Sequence, residues 1–187
     1  VPTLPDELVG KRVTPALSAW LKARRKEKQK IGRVVELARP GAPALQVDSR
    51  KWPEVTVERV QDLHALPDES VSFLWTPFAL QRAEDRETVV TEARRVVEPG
   101  GTWAFVDVMP ASMPGHWLYR FFPQAWENEG RHTWDASRMY NELVKIGFRV
   151  RLERRTFYQA VTLEVARGMA GARERCPQPV SYTHLTL

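Results

Sequence analysis

The chain of 187 residues has a single cysteine, Cys176, and no long apolar run. One cysteine excludes an intramolecular disulfide and a cysteine zinc cluster, so we expect a reducing, cytoplasmic setting. No run reaches the roughly 18–20 apolar residues of a membrane span, so we expect no membrane partner. The first residues lack a basic start followed by an apolar stretch, so we expect no signal peptide.

Patterns for metal binding and nucleophilic catalysis are also absent. His64, His116 and His132 have no partner at a ligand spacing such as i, i+4 on a helix, so we expect no metal. The sequence contains no G-x-S-x-G, and Cys176 lies close to its end. Nucleophilic catalysis by serine or cysteine therefore has no support.

The positive charge of the chain is concentrated in one segment. Residues 11–33 carry a formal net charge of +8, which leaves −3 for the rest of the chain. Such a segment either binds a nucleic acid or an anionic surface, or forms a solvated helix face. It contains no nucleic-acid-binding motif, and Trp20 is its one aromatic residue, so we expect a solvated face and no nucleic-acid partner.

Strand and helix patterns alternate along the chain. Short apolar runs predict strands at 33–38, 44–48, 56–60, 71–76 and 101–108. Apolar residues at helical spacing predict helices at 15–30, 84–97 and 135–147. The last predicted strands, Phe148–Leu152 and Phe157–Val165, are close enough to form an antiparallel hairpin. The sequence therefore predicts an α/β, Rossmann-like fold, with a mainly parallel sheet and helices on both faces.

The segment Pro99-Gly100-Gly101 joins the second predicted helix to a strand. A glycine in the left-handed conformation ends a helix at little cost, and proline prevents the helix from continuing. We therefore expect this segment to be a structural turn.

Composition divides the chain into three parts. We expect an N-terminal basic helical segment at 1–32, an α/β domain at 33–168 and a disordered tail at 169–187. Residues 179–187 do not fit the rest of the sequence and resemble a translated adapter, so we expect them to be an artefact.

Two motifs that follow one another along the chain resemble a known family. They are DLHALPDESVSFL, residues 62–74, and EARRVVEPGG, residues 92–101. In this order and at this spacing they resemble the class I S-adenosylmethionine-dependent methyltransferases of the small-molecule "type 11" group. The similarity runs from about Arg33 to Ala166. It implies direct methyl transfer from S-adenosylmethionine to a small-molecule acceptor.

The resemblance also implies a cofactor site at the carboxyl ends of the first strands. Glu36, Ala38 and Gly41 match the end of the family's first strand and the loop that follows it, which we call the strand-one loop. Asp48 matches the acid that holds the ribose hydroxyls. Asp62 and Leu63 match the pair beside the adenine, and Thr76 matches a residue on the floor of the site. The residues themselves also allow structural roles, with both aspartates capping turns and Thr76 ending a strand.

The strand-one loop departs from the family pattern, because Gly41 is the single glycine in residues 36–43. Three interpretations stay open. The loop binds the cofactor in an abbreviated form, the domain is an inactive scaffold that acts through a protein partner, or the segment is a damaged reading frame. An RNA methyltransferase guided by the basic helix is a further alternative. His116 and His132 are the candidate general bases, should the acceptor have to lose a proton.

Overall fold

The computed structural model describes residues 14–38, 44–82, 85–108, 127, 133–159 and 178–186. Its helices are α1 (Pro15–Lys26), α2 (Ala79–Arg82), α3 (Arg86–Val96) and α4 (Ala136–Lys145), with a 3₁₀ turn at Leu63–Ala65. Its strands are β1 (Val34–Leu37), β2 (Val57–Val60), β3 (Val71–Pro77), β4 (Val97–Val108), β5 (Arg151–Gln159) and β6 (Gln178–Thr186). Among these residues, no helix has the length and apolar character needed to cross a bilayer.

The described strands form one sheet in the order β2-β1-β3-β4-β6-β5. The first four of these strands are parallel to one another. Strand β6 runs antiparallel to both of its neighbours. Parallel neighbours need crossover connections. Helices α2 and α3 lie in the connection between β3 and β4, and the 3₁₀ turn lies between β2 and β3. The predicted α/β, Rossmann-like fold with a mainly parallel sheet is confirmed.

Both faces of the sheet are covered, because neighbouring residues along each central strand point to opposite sides. On the α1 face, Phe73 and Trp75 pack with Leu17 of α1. On the opposite face, which we call the α3 face, Leu74 packs with Val90 of α3. Leu143 of α4 belongs to that second cluster as well. The prediction of helices on both faces is therefore confirmed.

Helix α4 begins and ends where local sequence signals place it. The Asp135 side chain accepts a hydrogen bond from the backbone N–H of Arg138 at 2.8 Å, which caps the first turn. Gly147 follows the helix with φ +101°, and its N–H donates to the carbonyl of Val144 at 3.0 Å. A left-handed glycine of this kind satisfies the last carbonyls of a helix.

The Pro-Gly-Gly segment does not end a helix, contrary to the expectation. Helix α3 ends at Val96, and the next residue, Val97, is already extended. Gly100 has φ +76° and lies inside β4, where the β3–β4 register shifts between Val71 and Phe73. The segment therefore forms a bulge in the strand. An extended residue after the helix makes the turn, so no left-handed glycine is needed there.

The strand predicted at 44–48 does not form. Its backbone is bonded instead to Thr14, whose N–H donates to the carbonyl of Gln46 at 2.9 Å. The N–H of Gln46 in turn donates to the Thr14 hydroxyl oxygen at 2.9 Å. Leu45 is buried in the cluster on the α1 face. These contacts hold the segment beside the start of α1, and β2 takes the place next to β1.

The C-terminal part differs from the predicted hairpin, which is not confirmed. Residues 151–159 form the single strand β5, and residues 160–165 lie outside the described residues. Residues 178–186, expected in a disordered tail, are extended because their backbone pairs with β4 on one side and β5 on the other. The domain division and the artefactual origin of 179–187 stay predictions.

The two glycines of the β4 bulge should respond differently to substitution. A Cβ at Gly101 would lie 2.9 Å from the carbonyl oxygen of Glu98 and 3.1 Å from that of Val71. Gly101→Ala should therefore lower the free energy of unfolding by about 1–3 kcal/mol. A Cβ at Gly100 meets nothing within 4 Å, so Gly100→Ala should cost only about 1–2 kcal/mol, from its left-handed backbone.

Asparagine separates these two causes, because it tolerates the left-handed conformation. In urea unfolding, Gly100→Asn should recover part of the loss seen with Gly100→Ala. Gly101→Asn should be at least as damaging as Gly101→Ala. Recovery at position 101 would show that steric contact is not the cause there.

Candidate functional site

The order of the strands creates a crevice at one edge of the sheet. From β1 the chain passes to β2 on one side, and β3 then pairs on the other side of β1. In wound parallel sheets ligands bind where this reversal occurs, at the carboxyl ends of the strands. Here those ends are Leu37 of β1 and Pro77 of β3. Ala38, a predicted cofactor residue, follows at this edge, and its N–H donates to the carbonyl of Val60 at 2.7 Å.

The residue after β3 has an unusual backbone conformation. Phe78 has φ +53°, although it is a bulky aromatic residue. Its ring is buried on the α1 face, and its N–H donates to the carbonyl of Val106 in β4 at 2.8 Å. Left-handed residues of this type cost free energy and cluster at functional sites. The conformation therefore marks the same edge of the sheet as a candidate site.

Glu36 is buried in β1, but its carboxylate has a partner within the sheet. The Arg59 guanidinium donates to it at 3.0 Å, and the two residues lie opposite each other in the β1–β2 register. The Glu36 side chain is only 5% exposed, so the bond to Arg59 compensates for the burial of its charge. A role in holding a cofactor stays a prediction.

A small cavity lies at the carboxyl ends of β1 and β2, against α3. It is open to solvent on one side and has a volume of about 60 Å³. Its walls are formed by Leu37, Gln61, Asp62, Leu63, His64, Thr88, Val89 and Glu92. The structure thus brings the predicted pair Asp62 and Leu63 into one cavity with residues of α3.

The predicted pair has a clear local geometry. The Asp62 side chain accepts from the N–H of His64 at 3.0 Å, which caps the 3₁₀ turn. Asp62 itself is exposed, and only one of its carboxylate oxygens has this bond. Leu63 is buried against the α3 face. The turn cap is therefore present, and a second carboxylate oxygen is available at the cavity wall.

A charged network fixes this turn to α3. Arg95 donates to the carbonyls of Leu63 at 3.0 Å and Leu66 at 2.8 Å. It also donates to Glu92 at 2.7 Å. Glu92 lies 2.9 Å from the Nδ1 atom of His64. One arginine therefore holds both the backbone of the turn and the carboxylate that orients a histidine at the cavity.

Sequence analysis did not identify this network. His64, Glu92 and Arg95 all lie within the two family motifs, but the motifs do not indicate that they contact one another. The spacing of Glu92 and Arg95, i and i+3 on a helix, signals a helical ion pair. Contacts to a turn about 30 positions earlier have no sequence signal.

Two further predicted residues have structural partners. The Thr76 hydroxyl accepts from the indole N–H of Trp103 at 2.8 Å, and both residues are buried. The Asp48 side chain accepts from the N–H of Arg50 at 3.1 Å and caps a turn. Because 44–48 is not a strand, Asp48 does not follow a second strand as expected. Neither residue lines the described cavity, and their cofactor roles stay predictions.

A buried pair of charged residues lies at the end of β4. Asp107 is 1% exposed and Arg86, at the start of α3, is 9% exposed. Burial lowers the pKa of Arg86, and the negative charge of Asp107 acts against this shift. Sequence reasoning missed both residues, although an aspartate within the apolar strand GTWAFVDV is a visible signal. Buried charges of this kind are frequent at functional sites.

Three predicted site residues cannot be placed. Gly41, His116 and His132 lie outside the described residues.

Known proteins share this architecture. Residues 19–105 match a family model described as a methyltransferase domain. A candidate methyltransferase from an antibiotic biosynthesis pathway of Anabaena variabilis is 15% identical, with a TM-score of 0.51, over 98% of this chain and 100% of that chain. A candidate methyltransferase from Bacillus halodurans is 17% identical, with a TM-score of 0.49, over 81% and 80%. At such identity the likeness concerns the fold. No curated protein matches the chain in sequence.

The network around Glu92 predicts a pH dependence of stability. The Arg95 guanidinium holds the pKa of the Glu92 carboxyl below its ordinary value of 4.5. A lowered folded-state pKa stabilises the fold above the ordinary pKa, and this stability is lost as the pH falls through the folded value. Glu92→Gln should therefore cost about 1.5–3 kcal/mol near neutral pH, and less below about pH 4.5.

Urea unfolding across this pH range measures the effect. In an Arg95→Met background the Glu92→Gln cost should lose most of its pH dependence, because the charge that lowers the pKa is gone. An equal cost of Glu92→Gln at neutral and acid pH in the wild-type background would contradict the assignment.

Proposed function

We propose that the protein transfers a methyl group from S-adenosylmethionine to a small-molecule acceptor, because residues 19–105 match a family model described as a methyltransferase domain. The observation that supports this most is the position of the Asp62–Leu63 turn. It lies at the carboxyl edge of the parallel sheet, where such sheets bind nucleosides.

The chemistry of the described residues fits the nucleobase end of this cofactor. The exposed carboxylate of Asp62 can accept a hydrogen bond from an exocyclic amine, and Leu63 and Leu37 offer apolar contact to a base. The volume does not fit, since about 60 Å³ is far below the roughly 300–1,000 Å³ of ordinary ligand pockets. A base would have to move the exposed side chains of Asp62 and His64 outward.

The bound cofactor supplies an electrophilic methyl group, so the protein mainly aligns the acceptor and excludes water. Asp62 would orient the base from one end of the crevice. His116 and His132 stay the predicted bases for an acceptor that loses a proton. The cytoplasmic setting stays a prediction from the lone cysteine.

A catalytically silent domain that acts through a protein partner is the second candidate. Two observations favour it. The described cavity is too small for a nucleoside without rearrangement. The buried carboxylate of Glu36, predicted to contact the cofactor, is engaged by Arg59. Cofactor binding separates the two candidates, because only the enzyme requires it.

Calorimetric titration with S-adenosylhomocysteine tests the proposal. The wild-type protein should bind it, and Asp62→Asn should weaken binding at least tenfold. Asparagine keeps an oxygen that can cap the turn at His64, so the fold should be preserved while the charge is lost. Glu54→Gln is the matched control, because Glu54 pairs with Arg25 of α1, away from the described cavity.

Three results would decide the question. Binding that is reduced by Asp62→Asn and unchanged by Glu54→Gln supports the enzyme. Equal affinity of both variants would remove the role of Asp62. Absence of wild-type binding at millimolar ligand would favour the silent domain.

A further inference from the structure

The arginines in and next to α1 are engaged within the protein. Arg24 donates to the carbonyl of Gly100 at 3.0 Å and lies 3.7 Å from the carboxylate of Glu98. Arg33 forms a two-point pair with Glu58, with both distances 2.7 Å. Arg24 connects α1 to β4, and Arg33 connects the residue before β1 to β2, so the charges of both arginines are largely neutralised.

The lysines of the same segment are exposed and unpaired. Lys22 and Lys26 are one helical turn apart on α1, and Lys28 and Lys30 follow its end. Within the described ranges, none of the four side chains has a hydrogen bond or an ion pair. Lysine is a flexible point charge, which suits contact with phosphates that have no fixed geometry.

A cation–π contact adds two more cations to this surface. The Arg25 guanidinium lies 3.8 Å from the centre of the Trp52 ring. Trp52 directly follows Arg50 and Lys51, which are exposed and form part of a turn. The contact therefore places this turn beside the carboxyl-terminal half of α1. We call the six side chains the lysine surface: Lys22, Lys26, Lys28, Lys30, Arg50 and Lys51.

The lysine surface lies at the opposite edge of the sheet from the candidate site. Arg24, next to it in α1, contacts Gly100 near the start of β4, whereas the candidate site lies at the strands' carboxyl ends. Strand β3 has seven residues, which span about 20 Å. A ligand on the lysine surface would therefore not lie in the crevice, and this argues against an RNA substrate guided there by α1.

We propose that the lysine surface binds nucleic acid through its phosphates, without sequence preference. The sequence alone predicts a solvated face, and the turn carrying Arg50 and Lys51 is what the structure adds. The exposed apolar residues of α1 are Pro15, Ala19 and Ala23, all of them small. A protein partner would need larger apolar anchors, and Trp20 and Trp52 are buried. Phosphates need only positive charge.

Fluorescence anisotropy with a short labelled single-stranded RNA, and with DNA of the same sequence, tests the proposal on the full chain. Binding to both should weaken by between two and three orders of magnitude, roughly 300-fold, between 50 and 200 mM salt, as expected for about six phosphate contacts. The triple variant Lys22→Gln, Lys26→Gln, Lys28→Gln should bind at least tenfold more weakly at 50 mM salt. The slope of the logarithm of its binding constant against the logarithm of the salt concentration should be smaller in magnitude by about two.

The matched control is Lys145→Gln, Arg149→Gln, Arg151→Gln, which removes the same charge from exposed residues at the end of α4, in the connection after it and at the start of β5. It should bind nearly as well as the wild-type protein, and both variants should keep the wild-type melting temperature. Equal weakening by the two variants would overturn the assignment, as would no wild-type binding. Competition by poly-glutamate as strong as by RNA would point to an acidic protein and also overturn it.

Discussion

Strand β3 is buried along its whole length, and the architecture depends on this constraint. All seven of its residues, Val71–Pro77, are buried. A strand buried on both sides needs cover on both faces, and α1 supplies one layer while α3 and α4 supply the other. It also needs paired neighbours, which are β1 and β4. The crevice at its carboxyl end is a consequence of this central position.

The parts of the fold that could be predicted are those that depend on interactions between residues close together in the sequence. The continuous apolar run of β3 and the helical spacing of α3 appear in the sequence as they appear in the structure. The cap at Asp135 and the stop at Gly147 depend on residues within one turn of the helix end. Local signals of this kind do not require knowledge of the partner elements. The position of Asp62 just after a strand could also be predicted, because it follows an apolar run and begins the first family motif.

The parts that could not be predicted depend on contacts between distant segments. The segment 44–48 has a strand-like composition, yet Thr14 takes its backbone hydrogen bonds. The contacts of Arg95 with Leu63 and Leu66 join residues about 30 positions apart. The Arg25–Trp52 contact joins two basic groups in the same way. Each of these contacts depends on how two elements pack together. The residue pattern within a single element carries no information about that packing.

The left-handed conformation of Phe78 limits which residues position 78 can accommodate. A glycine there would relieve roughly 1–3 kcal/mol of backbone strain. It would also remove a ring that is 6% exposed, and emptying such a site costs roughly 3–5 kcal/mol. The core contact therefore outweighs the strain. Selection at this position should keep a large aromatic group, even though the main chain alone would favour the smallest residue.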